Sequence, residues 1–335
     1  MDGYATQSAR SSTGPLVIDF TTLILVLAWA FLSVSGGYQW FGSSLDNYSY
    51  YLYFMNLNSS PDFAASRFEP GFQAWAWVAK FILHMGFEPF VMSLIAVSLG
   101  IKFYLIRRYT ALPIFAAGGY VLGFFFLHEY TQFRAALGIA FAFLGLHKQM
   151  EGKLKWAGLF YVVAILFHYS VVMVPVVALL SRFIKRWEAI SLLAISSVVI
   201  AYMLPLIREM AVSYLSLLNP LTSAYFYGDE GAANIFSLFN VAMALASVYA
   251  IAIGYLERSK YHRIFLVLGI SSLVGLALVS ELQVLALRIK EVLAVAFIFA
   301  FTRSKPELQE IPLLFLLLVA MAYGFWSSIG QLFLF

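Results

Sequence analysis

The chain contains no cysteine. Disulfides, thiolate nucleophiles and cysteine-ligated metals are therefore excluded. Charge is nearly as scarce: Asp, Glu, Lys and Arg make up 11% of the 335 residues, against about 25% in a soluble domain. No Asp-x-Asp occurs anywhere, so the short acidic motif that holds a divalent cation is missing. There is no internal repeat, no low-complexity tract and no polar stretch long enough for an ordinary soluble domain. Residues 1–15, MDGYATQSARSSTGP, precede an apolar run without an evident small-residue cleavage site. That pattern predicts a retained first helix rather than a signal peptide, with 1–16 as a cytoplasmic tail.

Apolar surface is what the chain has in abundance. It is 62% hydrophobic and 18% aromatic, with 32 Phe and 20 Tyr. Apolar segments near the roughly 20 residues needed to cross a bilayer recur from end to end. The fold class is an all-α polytopic integral membrane protein, residues 17–335 forming one membrane domain of about 9–11 helices. The expected spans are 17–36, 72–86, 89–106, 111–127, 133–147, 156–181, 188–206, 235–256, 264–280, 284–301 and 311–330. Residues 72–86 are short for a crossing and read as a re-entrant or half-buried helix. Residues 156–181 are long for one crossing and short for two, and they break at FHYS, so a broken helix or hairpin is expected there.

The net charge of +4 is read as loop charge, not as nucleic-acid binding, because positive residues mark cytoplasmic loops. Five basic clusters separate the spans: Arg107/Arg108, Lys148/Lys153/Lys155, Arg182/Lys185/Arg186, Arg258/Lys260/Arg263 and Arg303/Lys305. With all five in the cytoplasm, 38–71, 128–134, 207–234 and 280–291 face outward. Loops 38–71 and 207–234 combine Tyr with Asp, Asn and Ser. That mixture suits sugars, whose apolar faces stack on rings while hydroxyls meet polar groups; an interfacial aromatic belt has the same composition.

Ionisable groups at membrane depth are costly and point to function by default. Arg134 follows His128, Glu129, Tyr130 and Gln132 at an outer hairpin. A guanidinium offers a permanently charged fork suited to phosphate, and Glu129 is its candidate counter-ion in a purely structural reading. Arg288 lies in LQVLALRIKEVLAVAF with Glu281, Lys290 and Glu291 nearby; Glu281 and Arg288 share a helix face, and snorkelling is the alternative for Arg288. His168, in ILFHYSVV, is either a base or a hydrogen-bonded packing residue. Glu69 precedes Pro70 at a helix start, where it favours the positive helix end, and Arg67 is its candidate partner.

In their order along the chain, these features resemble the EpsG-like branch of the Wzy-type polysaccharide polymerases. The resemblance rests on DNYSYY at 46–51, EPGF at 69–72, QFRAALGIAFAF at 132–143, AILFHYSVVMVP at 164–175 and the late Arg288. It implies an inner-membrane, multi-pass glycosyltransferase similar in fold to the GT-C class, with its site at the periplasmic face. Donor and acceptor would be oligosaccharide repeat units on undecaprenyl pyrophosphate, and membrane lipid and a chain-length regulator protein would be further partners. The resemblance further implies roles for Arg134, for His168 with Ser170, for Glu69 with Pro70, and for Arg288. His168 is the preferred base, with Glu69 or Asp46 second; Arg134 and Arg288 are assigned to pyrophosphate. Arg67, Glu129, Tyr130, Gln132, Tyr169, Glu281 and Lys290 complete the expected substrate-binding set.

Two other readings stay open: a flippase or permease for a lipid-linked substrate, which would favour inverted repeats, and a transferase that modifies the same glycans. No metal and no cofactor is expected. Arginine forks can replace a cation at a developing pyrophosphate charge. Purified protein supplied with lipid-linked repeat units is therefore expected to elongate them in excess EDTA. Strict dependence on added magnesium or manganese would contradict that assignment.

Overall fold

The structure, a computed structural model, describes residues 19–58, 63, 68–184, 233–280, 282–303 and 307–332. The expected tail, the span 188–206, most of loop 207–234, and Arg67 and Glu281 lie outside these residues. Among the described residues every regular element is helical, as composition demanded. The chain is an all-α polytopic membrane protein.

In chain order the elements are α1 (Phe20–Gly37), α2 (Leu45–Asn56), α3 (Pro70–Trp77), which runs on as a π-turn to Ile82, and α4 (Phe87–Tyr109). Next come α5 (Pro113–Tyr120), extended by a π-turn to Phe125, α6 (Phe133–Met150), α7 (Leu154–Phe167), a 3-10 turn (Tyr169–Val172) and α8 (Met173–Leu180). The last group is α9 (Leu238–Ala252), α10 (Tyr255–Arg258), α11 (Lys260–Leu278), α12 (Gln283–Ala294), α13 (Ala296–Phe301) and α14 (Ile311–Leu332). By length and apolarity α1, α4, α11 and Leu308–Gly330 are each sufficient to cross a membrane.

The described members of the basic clusters gather at one end. Arg107 donates to Asp19, the N-cap of α1, at 2.6 Å, and that exposed carboxyl is lowered to about 2 by the Thr22 backbone N–H and then by Arg107. Tyr109 bonds His147 at 2.6 Å, Arg303 donates to the Tyr109 carbonyl at 3.2 Å, and the Arg303 guanidinium lies 4.5 Å from the Tyr261 ring centroid. Lys148 and Lys153 meet on Glu151. The ends of α4, α6, α11 and α13 therefore share one basic end, as positive charge on one side of a membrane requires.

Two segments are shorter or more broken than the long apolar helices. Segment Pro70–Ile82 begins and ends at the opposite end: Phe72 and Lys80 both reach α2, and Phe87 at the start of α4 packs on Tyr51 of the same helix. Helix α7, about 21 Å long at 1.5 Å per residue, stops at His168. Both α7 and α8 pack on α6. Tyr161 of α7 donates to Gln149 at the basic end, and Arg182, just past α8, lies within electrostatic reach of that hydroxyl. The two arms thus return to one end, and His168 is the apex of a hairpin.

Segment 38–71 is not a plain loop. Helix α2 forms inside it because Ser44 accepts from the Asn47 N–H and Asp46 sits in the first turn, both favourable at a helix start. Asn47, Tyr50, Phe54 and Leu57 are buried, whereas Tyr48, Tyr51, Leu52 and Met55 are exposed. Lys80 closes the far end by donating to the Phe54, Met55 and Leu57 carbonyls at 2.8, 2.8 and 3.0 Å. Because the chain lacks cysteine, its sidedness is readily measured. Single cysteines at Asp46 on the one hand, and at Lys153 or Lys260 on the other, are expected to label from opposite sides of the membrane with an impermeant maleimide. Labelling of all three from one side would refute the two-ended arrangement.

Candidate functional site

Three sequence-distant segments meet at the end away from the basic clusters. Glu69 is the N-cap residue of α3, but its side chain makes no capping bond. One carboxylate oxygen instead receives Arg134 Nη1, and the other lies 3.1 Å from His168 Nδ1. Arg134 stands in the first turn of α6 and His168 at the hairpin apex. Glu69 and His168 are buried, and Arg134 is only 15% exposed at its side chain.

Close backbone approach makes this meeting possible. A Cβ on Gly71 would come within 2.7 Å of the Leu166 carbonyl oxygen, and one on Gly138 within 2.9 Å of His168 Cβ. Only glycine lets α3 and α6 both close on the α7 apex. His168 adopts an extended backbone (φ −161°, ψ 115°), which ends α7 and turns the imidazole toward Glu69.

An aromatic box encloses the arginine. Its Nε donates to the Tyr50 hydroxyl at 3.1 Å, and its guanidinium carbon lies 5.3, 4.9 and 6.0 Å from the ring centroids of Tyr50, Phe68 and Phe72. Each such cation–π contact contributes about 0.5–1 kcal/mol when exposed and about 2 kcal/mol when desolvated. Tyr50 also packs on Phe133 at 4.6 Å. Nη2 of Arg134 has no protein partner among the described residues.

A carboxylate on Nδ1 fixes the imidazole tautomer with its proton on that nitrogen and leaves Nε2 as the basic lone pair. Nε2 has no partner among the described residues, and it is not among the wholly enclosed unpartnered atoms, unlike both nitrogens of His128. An arginine, a glutamate and a histidine in this order can orient a base and present a cation beside it.

A second polar group lies alongside. The 3-10 turn carrying Tyr169 and Ser170 packs against α12, and Arg288 of α12 is within electrostatic reach of His168. Glu291, one turn further along α12, interacts with the Gln132 side chain and is within reach of Arg288, Lys290 and Asp46. Lys290 also lies 4.7 Å from the Phe239 ring centroid. Asp46 and Tyr169 are exposed at the rim, and Ser170, Gln132 and Arg288 are partly exposed.

Two expected substrate contacts are placed elsewhere. Glu129 is fully buried and bonds Lys102, Tyr120 and Ser98 rather than Arg134. Tyr130 is fully buried, and its hydroxyl accepts from the Phe41 N–H at 2.5 Å. Both side chains spend their polar atoms inside the protein, so neither faces a ligand. Conversely, Tyr50, Phe68, Phe72 and Glu291 were absent from the expected set. The sequence signals for the box were the aromatic density of 46–53 and the Phe72 of EPGF.

The fold and site define a class: a multi-pass membrane protein with a buried Arg–Glu–His cluster at the end opposite its basic clusters. The chain belongs to the EpsG family, which matches residues 22–333, nearly its whole length. That family places it among the polysaccharide polymerases, glycosyltransferase-type enzymes of the membrane. No curated protein and no solved structure matches it significantly.

Removing one partner of a buried ion pair strands the other, at a cost of about 3–5 kcal/mol, whereas removing both is far milder. Glu69→Leu and Arg134→Met are each expected to lower thermal stability in detergent markedly, and the double variant to recover most of the loss. Simple additivity of the two losses would contradict the pairing.

Proposed function

We propose that this polymerase joins oligosaccharide repeat units carried on a lipid pyrophosphate, undecaprenyl pyrophosphate by family resemblance. The basic end faces the cytoplasm of a bacterial inner membrane and the site faces the periplasm. The observation that carries the reading is Glu69 bridging Arg134 and His168.

The acceptor hydroxyl gives its proton to His168 Nε2 as its oxygen attacks the anomeric carbon of the donor. The carbon–oxygen bond to pyrophosphate breaks, and the lipid pyrophosphate leaves with the electron pair. Glu69 holds the imidazole and stabilises the imidazolium that forms. Both of its oxygens are occupied, so it acts as an orienting group and not as a second base.

Charge grows on the pyrophosphate in the transition state. Preorganised donors in a dry site are worth most there. Arg134 Nη2 and the Arg288 guanidinium supply them, the former held rigid by Tyr50 and Glu69. Sugar rings of the acceptor stack at the rim on the exposed Tyr48 and Tyr51 of α2, and Asp46, Gln132 and Ser170 meet hydroxyls. This arrangement needs no nucleotide sugar and no bound cation.

Base loss is expected to separate chemistry from binding. General-base catalysis contributes about 10²–10⁴-fold, so His168→Ala lowers the elongation rate by that order while affinity for a lipid-linked unit changes little. Arg134→Lys keeps a charge but loses the fork, so it weakens both. An alanine variant that elongates within a few-fold of the parent would make His168 a packing residue. In cells, deletion should leave glycan of one repeat unit; loss of all surface glycan would favour a flippase.

A further inference from the structure

The most enclosed charges in the described protein take no part in that chemistry. Lys102 and Glu129 are 2% and 0% exposed and lie 2.5 Å apart. Tyr120 donates to both Glu129 oxygens at 2.8 and 2.7 Å while accepting from Lys102 at 2.6 Å, and Ser98 adds a bond at 2.9 Å. Lys102 also lies 4.9 Å from the Tyr120 ring centroid. A pair this deep is poor evidence for stability, because apolar side chains of similar volume often do as well or better. Its best-attested use is to fix a register.

The register in question belongs to the turn between α5 and α6. His128 N–H donates to the Phe124 carbonyl, Tyr130 N–H to Phe125, Gln132 N–H to His128 and Ala136 N–H to Gln132. Hydrogen bonds thus tie the turn into one continuous piece that ends in the first turn of α6, which carries Arg134. Glu129 pins this piece to α4 and α5. On its other side, Tyr130 accepts from the Phe41 N–H at 2.5 Å, and the Gln39 amide donates to the Tyr130 carbonyl at 3.2 Å. Those contacts hold the link from α1 to α2, and α2 supplies the Tyr50 hydroxyl to Arg134.

We infer that Lys102 and Glu129 are positioning residues: their ion pair sets the height of the α5–α6 turn and so aims the Arg134 guanidinium at Glu69 and at the leaving group. Neither touches substrate. Glu129, five residues before Arg134, serves as an anchor instead of the arginine's counter-ion. The inference rests on the reading of Arg134 given above, so its test needs one readout that is independent of turnover.

That test is the double variant Lys102→Met/Glu129→Met, made together with Tyr120→Phe and Ser98→Ala because both hydroxyls bond Glu129, so that neither a charge nor a buried hydroxyl is left stranded. It should insert and resist heat like the parent. A misplacement of about 1 Å at a reacting centre can cost about 10²-fold. Hence kcat for elongation should fall by about that factor, with KM for the lipid-linked unit within about twofold. In an Arg134→Lys background the same combined change should cost much less, because coupled sites are not additive. Independently, nitroxide pairs at Val97→Cys on α4 and Thr131→Cys in the turn should give one narrow distance in the parent and a broadened or shifted one in the combined variant. A combined variant with parental kcat and an unchanged distance would overturn the inference, as would an equal loss in both backgrounds. If the parent itself does not elongate lipid-linked units, the proposed function fails and the distance measurement alone decides the positioning role.

Discussion

A buried guanidinium must have its carboxylate, and here the carboxylate also serves a histidine. Glu69 is too valuable at its two oxygens to cap its own helix, and it leaves the α3 N-terminus without a side-chain cap. Desolvating one charge costs several kcal/mol, which only a close partner offsets. The unusual features of the site follow from that constraint. Helix α3 begins at Pro70, which places its N-cap residue at the site. Helix α7 breaks so that an imidazole reaches the same carboxylate. Two glycines thin the backbone where three helices converge. The aromatic box of Tyr50, Phe68 and Phe72 then excludes water from the arginine's faces while the Tyr50 hydroxyl satisfies Nε.

Charge is otherwise segregated. One end of the bundle collects Arg107, Lys148, Lys153, Arg258 and Arg303 around tyrosines and a few carboxylates. The other end holds the Arg134 cluster and, beside it, Arg288, Lys290 and Glu291 on α12. Between them the described core is mostly apolar, and the Lys102–Glu129 pair lies within it beside buried polar side chains such as His128. Such a layout keeps the basic clusters apart from the Arg134 cluster.

Much of this was legible in the sequence. Apolar run lengths marked the helices, FHYS marked the break at His168, and 72–86 is indeed a short segment, held against α2. The positions of Glu69, Arg134, His168 and Arg288 were readable because ionisable residues stand out in so apolar a chain. Their pairing was not. Glu129 is near Arg134 in sequence, yet the carboxylate that reaches it is Glu69, brought by a tertiary contact between α3 and α6. Lys102 escaped notice because a lone lysine near Arg107 and Arg108 reads as part of a basic helix end. Helix α2 was hidden by its aromatic composition, which reads as interface decoration until Lys80 is seen holding its last carbonyls.

The central claim is that the Arg134–Glu69–His168 cluster is where a sugar leaves its lipid pyrophosphate. The direct measurement is an electron cryomicroscopy structure of the purified protein in lipid with a pyrophosphate-linked repeat unit bound. The account predicts phosphate oxygens within hydrogen-bonding distance of Arg134 Nη2 and of Arg288, with a sugar against His168 Nε2. Pyrophosphate bound instead among the arginines of the basic end, with the aromatic box closed around an unoccupied Arg134, would contradict it.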